Sequence, residues 1–518
     1  MKTKTKTKVA LVALCLLASH GAMAKDYYLA PNGTGNGMTI DKPFGDPVKA
    51  FAALKAGDIL YVRGGTYHLS QTINVTETGT ADKRICVFAY PGDTERPVFD
   101  FSGQPRSTES EAANNRGIMH KIGANYWHYR GLDICHSADN GMKLEGSYCV
   151  VELCRFYGNE DTGLQQGFGK DSKGNNTRNT EFKYGRFNII VNCDAYDNHD
   201  PWSHGGNADG FAIKLFPGPG NEFHGCRAWH NSDDGWDFYQ RVGGTTVLKD
   251  CICYAMGPKE YDLRNHPRRQ TDKDFLDQFD GEGIDITLKN NKGTVHCSLE
   301  HFYNNGNANG FKLGGDYTKH NVTLYRCLAV GNNERGFDQN NNQGEMRIYN
   351  GTAYLNNQNY GFYSDKGYSL DIKNCVSLDS EKDDTFRGSK ITDENNTWNK
   401  GFSVSQSDFQ NTDTTLIVSP RKPDGSLPDT PFLRLAPTSR LIDAGTEVEG
   451  IEYSGKAPDL GCYEYSGANS IPTCNTMPNQ NEIVARYGTD GTSIPFDKNK
   501  GLTIVKTRSG KATAVINR

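Results

Sequence analysis

The stretch N-S-D-D-G-W-D, Asn231 to Asp237, puts Asp233, Asp234 and Asp237 within a few residues of one another. Like charges at such spacing repel, and a folded chain keeps them ionised only beside a positive partner. A fourth aspartate, Asp209, stands in the related stretch N-A-D-G-F-A-I-K, 207–214. Lys312, in N-A-N-G-F-K-L-G at 307–314, shares the same local pattern. Carboxylates of this kind suit a hard cation, since Ca2+ takes about six to eight oxygen ligands. A lysine beside such a cation can serve as a base once it is neutral.

The elements that must position these residues are legible from a repeat. The Gly-aromatic pair of the three stretches recurs in N-E-R-G-F-D-Q-N at 333–340 and Q-N-Y-G-F-Y-S-D at 358–365. A mark residue stands nine places before several of these glycines: Cys154 before Gly163, Cys226 before Gly235, Cys327 before Gly336 and Thr352 before Gly361. Counted from Cys135, Cys154, Cys193, Cys226, Cys327 and Thr352, an asparagine follows five places later: Asn140, Asn159, Asn198, Asn231, Asn332 and Asn357. A period of 22–26 residues with short β-type segments and stacked asparagines predicts a parallel β-helix. Asparagine tolerates left-handed backbone at a sharp turn, and stacked amides can bond to one another. The leucine pattern that a leucine-rich repeat of similar length needs is absent. The cysteine column is then expected inside the solenoid as free thiols, with Cys462 and Cys474 the disulfide candidates.

The register groups side chains. Alternate residues of a strand share a face. The apolar first and third residues after each glycine, such as Phe211 and Ile213 or Trp236 and Phe238, are expected inward. The second residues then form an outer column: Ala212, Asp237, Lys312, Asp338 and Tyr363. The residues before glycine form another: Asp209, Asp234, Asn309 and Arg335. Rungs lie about 4.8 Å apart, so Asp237 and Lys312 should be neighbours, and four aspartates should share two adjacent coils. No Cys/His set has zinc spacing, and His199, His204 and His230 are not paired as ligands would be. The plain alternatives are a purely structural cation site and an ordinary surface lysine.

Composition narrows the setting. The chain has 518 residues, 57 glycines and a formal net charge of -5, without basic runs after the N-terminus, which argues against nucleic acid as a partner. Residues 1–24 read as a secretory signal: four early lysines, a short apolar run, and A-M-A before Lys25. The apolar run is too short to span a bilayer. A secreted, periplasmic or cell-surface protein, expected to be a monomer, follows. The β-helix is expected over 25–385, an extension packed on it over 386–466, and a polar tail or small β unit over 467–518. A short amphipathic helix around Ala50 and Leu54 is expected to cap the N-terminal end. Two coils carry insertions, one containing K-D-S-K-G-N-N-T-R-N-T and one of about 50 residues before Asn307; long loops on a rigid solenoid often shape a binding face.

A cation on a solenoid face with a lysine one coil away suits β-elimination in a polyuronate, where the C5 hydrogen lies next to a carboxylate that a metal ion can polarise. N-A-D-G-F at 207–211, G-C-R-A-W-H-N-S-D-D-G-W-D at 225–237, G-N-A-N-G-F-K-L-G-G at 306–315 and G-F-D-Q-N-N-N at 336–342 resemble polysaccharide lyase family 9. The resemblance runs from about Tyr27 to at least residue 380. It implies a right-handed parallel β-helix that binds Ca2+ through Asp209, Asp233, Asp234 and Asp237 and uses Lys312 as Brønsted base. The implied substrate is pectate (homogalacturonan), with the rhamnogalacturonan I backbone as the alternative within the family. Lys214, Arg335 and Tyr239 are candidates to meet the sugar chain, as are Trp202 and Tyr363. Two other classes stay open: a non-catalytic glycan-binding β-helix, and a hydrolase of the same fold working through carboxylates alone.

Overall fold

The computed structural model describes residues 24–106, 115–168, 179, 181–240, 242–271, 273–288, 293–364, 367–388, 390–401, 403–465 and 467, and the backbone of 483–487, 501–507 and 512–517. Three parallel sheets of twelve, ten and ten strands stack coil on coil into a right-handed β-helix. One coil contributes a strand to each sheet in turn, for example Trp127–Arg130, Asp133–Cys135 and Met142–Leu144. Alternation decides which side chains enter the core: in Ile59–Val62, Leu60 and Val62 are fully buried, while Ile59 and Tyr61 are half-buried.

Two corners per coil bend through single left-handed residues. Between the first and second sheets these are Gly131, Leu153, Asn192, Gly225, Asp250 and Arg326. After the second sheet they are His136, Gly158, Asp197, His230, Ala255 and Gly331. The stacked asparagines stand one place later. Asn159 Nδ2 donates to Asn198 Oδ1 at 2.9 Å, and Asn198 Nδ2 to Asn231 Oδ1 at 2.8 Å. Met256 then interrupts the ladder, and Asn332 Nδ2 resumes it by donating to Asn356 Oδ1 at 2.7 Å. The ladder therefore corrects three expectations. Its members do not themselves adopt left-handed backbone, Ser137 rather than Asn140 precedes Asn159, and Asn356 rather than Asn357 follows Asn332. Cys154, Cys193, Cys226, Cys251, Cys327 and Cys375 are buried free thiols. Strand pairing puts the first five of these in one column. Cys135 and Thr352 fall outside it, because Cys135 pairs with Tyr157 and Thr352 with Leu328. Cys462 is a free buried thiol, and Cys474 lies outside the described residues.

Behind the third sheet runs an aromatic stack. Phe211, Trp236, Phe311, Phe337 and Tyr360 follow one another with ring centroids 5.0–5.1 Å apart. Each such pair contributes about 0.5–1.5 kcal/mol beyond area burial, and the stack holds the rungs of this sheet in register. The helix Pro47–Ala53 begins on Asp46, whose carboxylate accepts from the Val48 N–H, and it buries Ala50 and Phe51.

The large insertion forms two small antiparallel pairs, Glu260–Tyr261 with Phe302–Tyr303 and Ile284–Thr287 with Thr294–Cys297. It packs around its own apolar cluster of Leu263, Leu276, Phe279, Cys297, Leu299 and Phe302. The last strand of the first sheet is Ile391–Glu394, beyond residue 385. The chain then lies along the second sheet, where Phe409, Ile417, Phe432, Leu435, Leu441 and Leu460 cover Ile252, Leu328, Val330, Tyr354, Val376 and Leu378. Three antiparallel strands, Ile483–Tyr487, Gly501–Thr507 and Ala512–Asn517, form a separate small sheet. Among the described residues no helix is long and apolar enough to cross a membrane.

Candidate active site

The third sheet carries one outward column that reads Lys143, Gln165, Ala212, Asp237, Lys312 and Asp338 from coil to coil. Asp237 and Lys312 are direct strand partners even though the large insertion separates them along the chain. Asp209 and Asp234 occupy the column before the glycines, and the Asp234 N–H donates to Asp209 Oδ1 at 3.2 Å. Asp209, Asp234 and Asp237 each offer a carboxylate oxygen within 4.8 Å of the others. Asp233 stands at the edge of this trio, with its Oδ1 accepting from the Asn307 N–H at 3.1 Å. All four aspartates are buried.

Two ammonium groups thread the carboxylates. Lys312 Nζ lies 2.7 Å from Asp234 Oδ2 and 3.4 Å from Asp237 Oδ1. Lys214 Nζ lies 2.7 Å from Asp209 Oδ2 and 3.0 Å from Asp237 Oδ2. Lys214, read from the sequence as a partner for a substrate carboxylate, is thus paired with two of the protein's own; a lysine stem reaches the nearest anion whatever face its Cα occupies. Neutral donors complete the frame. Thr162 Oγ1 donates to Asp209 Oδ2 at 3.0 Å, and Asn309 Nδ2 donates to Asp234 Oδ1 at 2.9 Å.

The electrostatics record the crowding. Burial, together with Asp237 and Asp234 and against the pull of Lys214, pushes Asp209 up to about 8. Burial and the neighbouring Asp234 push Asp233 well above the usual carboxylate range. Asp237 goes the other way: burial opposes its charge, but Lys312 and Lys214 outweigh it. Burial also disfavours the Lys312 ammonium, yet Asp234, Asp237, Asp233 and Asp209 hold its pKa well above the lysine range. With every group ionised, four aspartates and two lysines leave two negative charges, the complement of one divalent ion. The donor set is oxygen only, which fits Ca2+.

The outlying candidates sit as follows. The Tyr239 ring centroid is 5.8 Å from Lys312 Nζ, and its N–H donates to Asp237 Oδ1 at 2.9 Å. Arg335 Nε donates to Gln358 Oε1 at 2.8 Å, and the guanidinium lies 4.9 Å from the Tyr363 ring centroid. Tyr363 is not in the outer column, because Asp338 pairs with Gly361; the coil between them is two residues shorter than the repeat suggests. Trp202 lies in the short turn Pro201–Ser203. Lys143 was hidden in the sequence: N-G-M-K-L at 140–144 has the spacing of N-G-F-K-L at 309–313, but Met142 stands where Phe311 does, so the stretch lacks the Gly-aromatic pair. It is buried, and burial together with Arg116 pushes its pKa down to about 8.

The chain matches a family model described as Pel9A-like, right handed beta helix region, over residues 27–272. It is 33% identical to pectate lyase L of Dickeya dadantii (strain 3937) over 446 residues, 85% of this chain and 90% of that protein. It is 31% identical to pectate lyase L of Paenibacillus polymyxa (strain SC2) over 442 residues, 83% of this chain and 85% of the relative. The crystal structure of pectate lyase Pel9A superposes with a TM-score of 0.65 at 32% identity, covering 86% of this chain and 98% of that one. A rhamnogalacturonan lyase, at 23% identity, shares the fold with a TM-score of 0.59 over 80% of this chain and 97% of its own.

Proposed function

The chain belongs to the Pel9A-like β-helix family of polysaccharide lyases, and from that premise we propose that it is a calcium-dependent lyase of pectate with Lys312 as its base. The observation that carries this reading is the rung on which Lys312 stands: it is the strand partner of Asp237, beside three converging carboxylates. Asp209, Asp233, Asp234 and Asp237 would hold Ca2+, which when bound supplies a Lewis acid for the carboxylate of a uronate.

The residues of the chain do the rest. Lys312 must shed its proton to act, and what now holds that proton is the charge of Asp234 and Asp237. Once those carboxylates are committed elsewhere, burial dominates and the amine becomes neutral. Lys312 Nζ then takes the C5 proton of the uronate. The C–H electron pair forms the C4–C5 double bond, and the glycosidic oxygen on C4 leaves with its electrons. Lys214 keeps Asp209 and Asp237 fixed through the cycle. Arg335 and Tyr239 flank the column and contact the sugar chain in this reading. Export by residues 1–24 and action as a monomer on an extracellular polymer belong to the same proposal.

The test is ultraviolet absorbance with polygalacturonate, with Ca2+ and then with chelator. A rise that chelator abolishes is expected. A rise only with the rhamnogalacturonan I backbone moves the substrate, reducing ends without absorbance make it a hydrolase, and binding without cleavage removes the enzyme.

A further inference from the structure

A second set of metal-ligating side chains lies on a different face, at the N-terminal start of the second sheet. Strands Gly65–His68, Pro97–Asp100 and Asp133–Cys135 are consecutive rungs, and their last residues are strand partners: His68 with Asp100, and Asp100 with Cys135. Tyr67, Phe99 and Ile134 enter the core, so alternation turns His68, Asp100 and Cys135 outward. His136 follows Cys135 with φ +56, a left-handed conformation that turns its ring back over the same rungs. Its Nδ1 lies 3.0 Å from Asp100 Oδ1, and His68 Nδ1 lies 3.2 Å from Asp100 Oδ2. Asp100, Cys135 and His136 each offer a ligand atom within 4.8 Å of the others. The next coil leaves room for this geometry. Gly158 stands where His136 would repeat, and a Cβ there would come within 2.7 Å of His136 Cδ2. On the following rungs the column turns into an aromatic stack, Tyr157, Tyr196 and Trp229, which closes the C-terminal side.

We propose that His68, Asp100, Cys135 and His136 form a transition-metal site of the zinc class that ties together the first coils of the second sheet. The ligand types argue for it. Thiolate and imidazole select Zn2+ and its neighbours over Ca2+. With metal bonds of about 2.0–2.3 Å, tetrahedral ligand atoms lie roughly 3.3–3.7 Å apart. Asp100, Cys135 and His136 need only small side-chain rotations to reach that. The exposed His68, 3.2 Å from Asp100 Oδ2 but outside the trio, swings in from the neighbouring rung. Binding deprotonates the Cys135 thiol and releases that proton to solvent, while the imidazoles bind neutral. The end coils of a solenoid have a neighbour on one side only, and a metal bond across three rungs offsets that deficit. Along the chain the ligands come from three coils, so no local zinc spacing announces them.

The site is tested on the metal-free full-length protein by adding Co2+ with Ca2+ in excess to occupy oxygen-only sites. One equivalent is expected to produce a thiolate-to-cobalt charge-transfer band, which Zn2+ then removes. Cys135→Ser should abolish the band. If that buried substitution prevents folding, the more exposed His136→Ala and Asp100→Asn should each weaken Co2+ binding by roughly tenfold or more. A folded wild type without the band, a band that persists in Cys135→Ser, or unchanged affinity in both exposed variants would overturn the proposal.

Discussion

Lys312 Nζ sits 2.7 Å from Asp234 Oδ2 although a whole inserted subdomain separates the two residues along the chain. The solenoid makes this possible because an insertion at a corner leaves the rungs on either side stacked: Trp236 and Phe311 still lie 5.0 Å apart, ring to ring. The pair is therefore a property of the coil, and the insertion is free to shape the surroundings.

Replacing Lys312 by Ala should leave the fold intact, because the side chain points out of the core and its neighbours on the sheet are held by the aromatic stack. Turnover of polygalacturonate should fall by roughly 10²- to 10⁴-fold, the usual share of a general base. Calcium affinity should hold or rise, since an ammonium that competes for Asp234 and Asp237 is gone. Product absorbance and equilibrium calcium binding check the two halves. Wild-type turnover in the variant would remove Lys312 from its role.

Asp237 touches both lysines, so Asp237→Asn should disturb more than one ligand bond. The calcium requirement for activity should rise by more than the about 10–100-fold that losing a supporting hydrogen-bond partner of a ligand costs. Excess Ca2+ should restore part of the turnover. A calcium titration of activity, run beside Asp338→Asn as a control on the next rung but one, separates ligand loss from a general loss of charge. An unchanged calcium requirement would mean that Asp237 serves Lys312 alone.

Much of this site was legible because a repeat turns sequence offset into spatial adjacency. Asp209, Asp234, Asp237 and Lys312 fall together as soon as the glycines are aligned, and the strand pairing agrees. The errors came where one coil breaks the period. The coil from Asp338 to Gly361 is two residues short, which moved Tyr363 out of its expected column. Met142 in place of an aromatic concealed Lys143. Lys214 shows a different limit: the register assigns a face, but a long flexible side chain chooses its partner by distance and charge, and it chose Asp209 and Asp237. The His68–Asp100–Cys135–His136 cluster escaped because its rungs are 32 and 35 residues apart, outside the 22–26-residue period that aligns the later coils.

Asp338 gives a pH signature. Burial pushes its carboxyl up to about 6, only partly offset by Arg335. The folded state therefore keeps a proton that the unfolded chain loses near its ordinary pKa of about 3.9. Stability from this group is fully present below that value and is lost as pH rises through about 6, by roughly 3 kcal/mol in all. Asp338→Asn should match the wild type near about pH 4 and be the more stable near about pH 7. Urea unfolding in chelator at the two pH values measures it, and equal differences at both would refute the assignment.

The insertion is anchored by a buried charge triad, and this makes its docking testable. Glu160, fully buried, accepts from Arg106 Nε at 2.6 Å and from Arg268 Nε at 2.7 Å. Arg268 belongs to the insertion, whereas Arg106 and Glu160 belong to the coils. Around the triad lie ring contacts, His199 on Tyr261 at 3.8 Å and His204 on Phe302 at 4.9 Å, and hydrogen bonds such as Tyr261 Oη to the His230 carbonyl at 3.0 Å and the Asn305 N–H to the His204 carbonyl at 2.7 Å. Replacing Glu160, the one carboxylate between the two guanidiniums, costs about 3–5 kcal/mol, because two buried charges then lose their partner. Glu160→Gln should therefore open the insertion to protease while the strand signal of the solenoid stays unchanged in circular dichroism. Because Phe302–Tyr303 leads directly to Asn307, whose N–H donates to Asp233, the loosened insertion should raise KM for long pectate chains more than it lowers kcat. Cleavage of the variant at wild-type speed by the protease would show that the ring contacts and hydrogen bonds hold the insertion and that the triad does not.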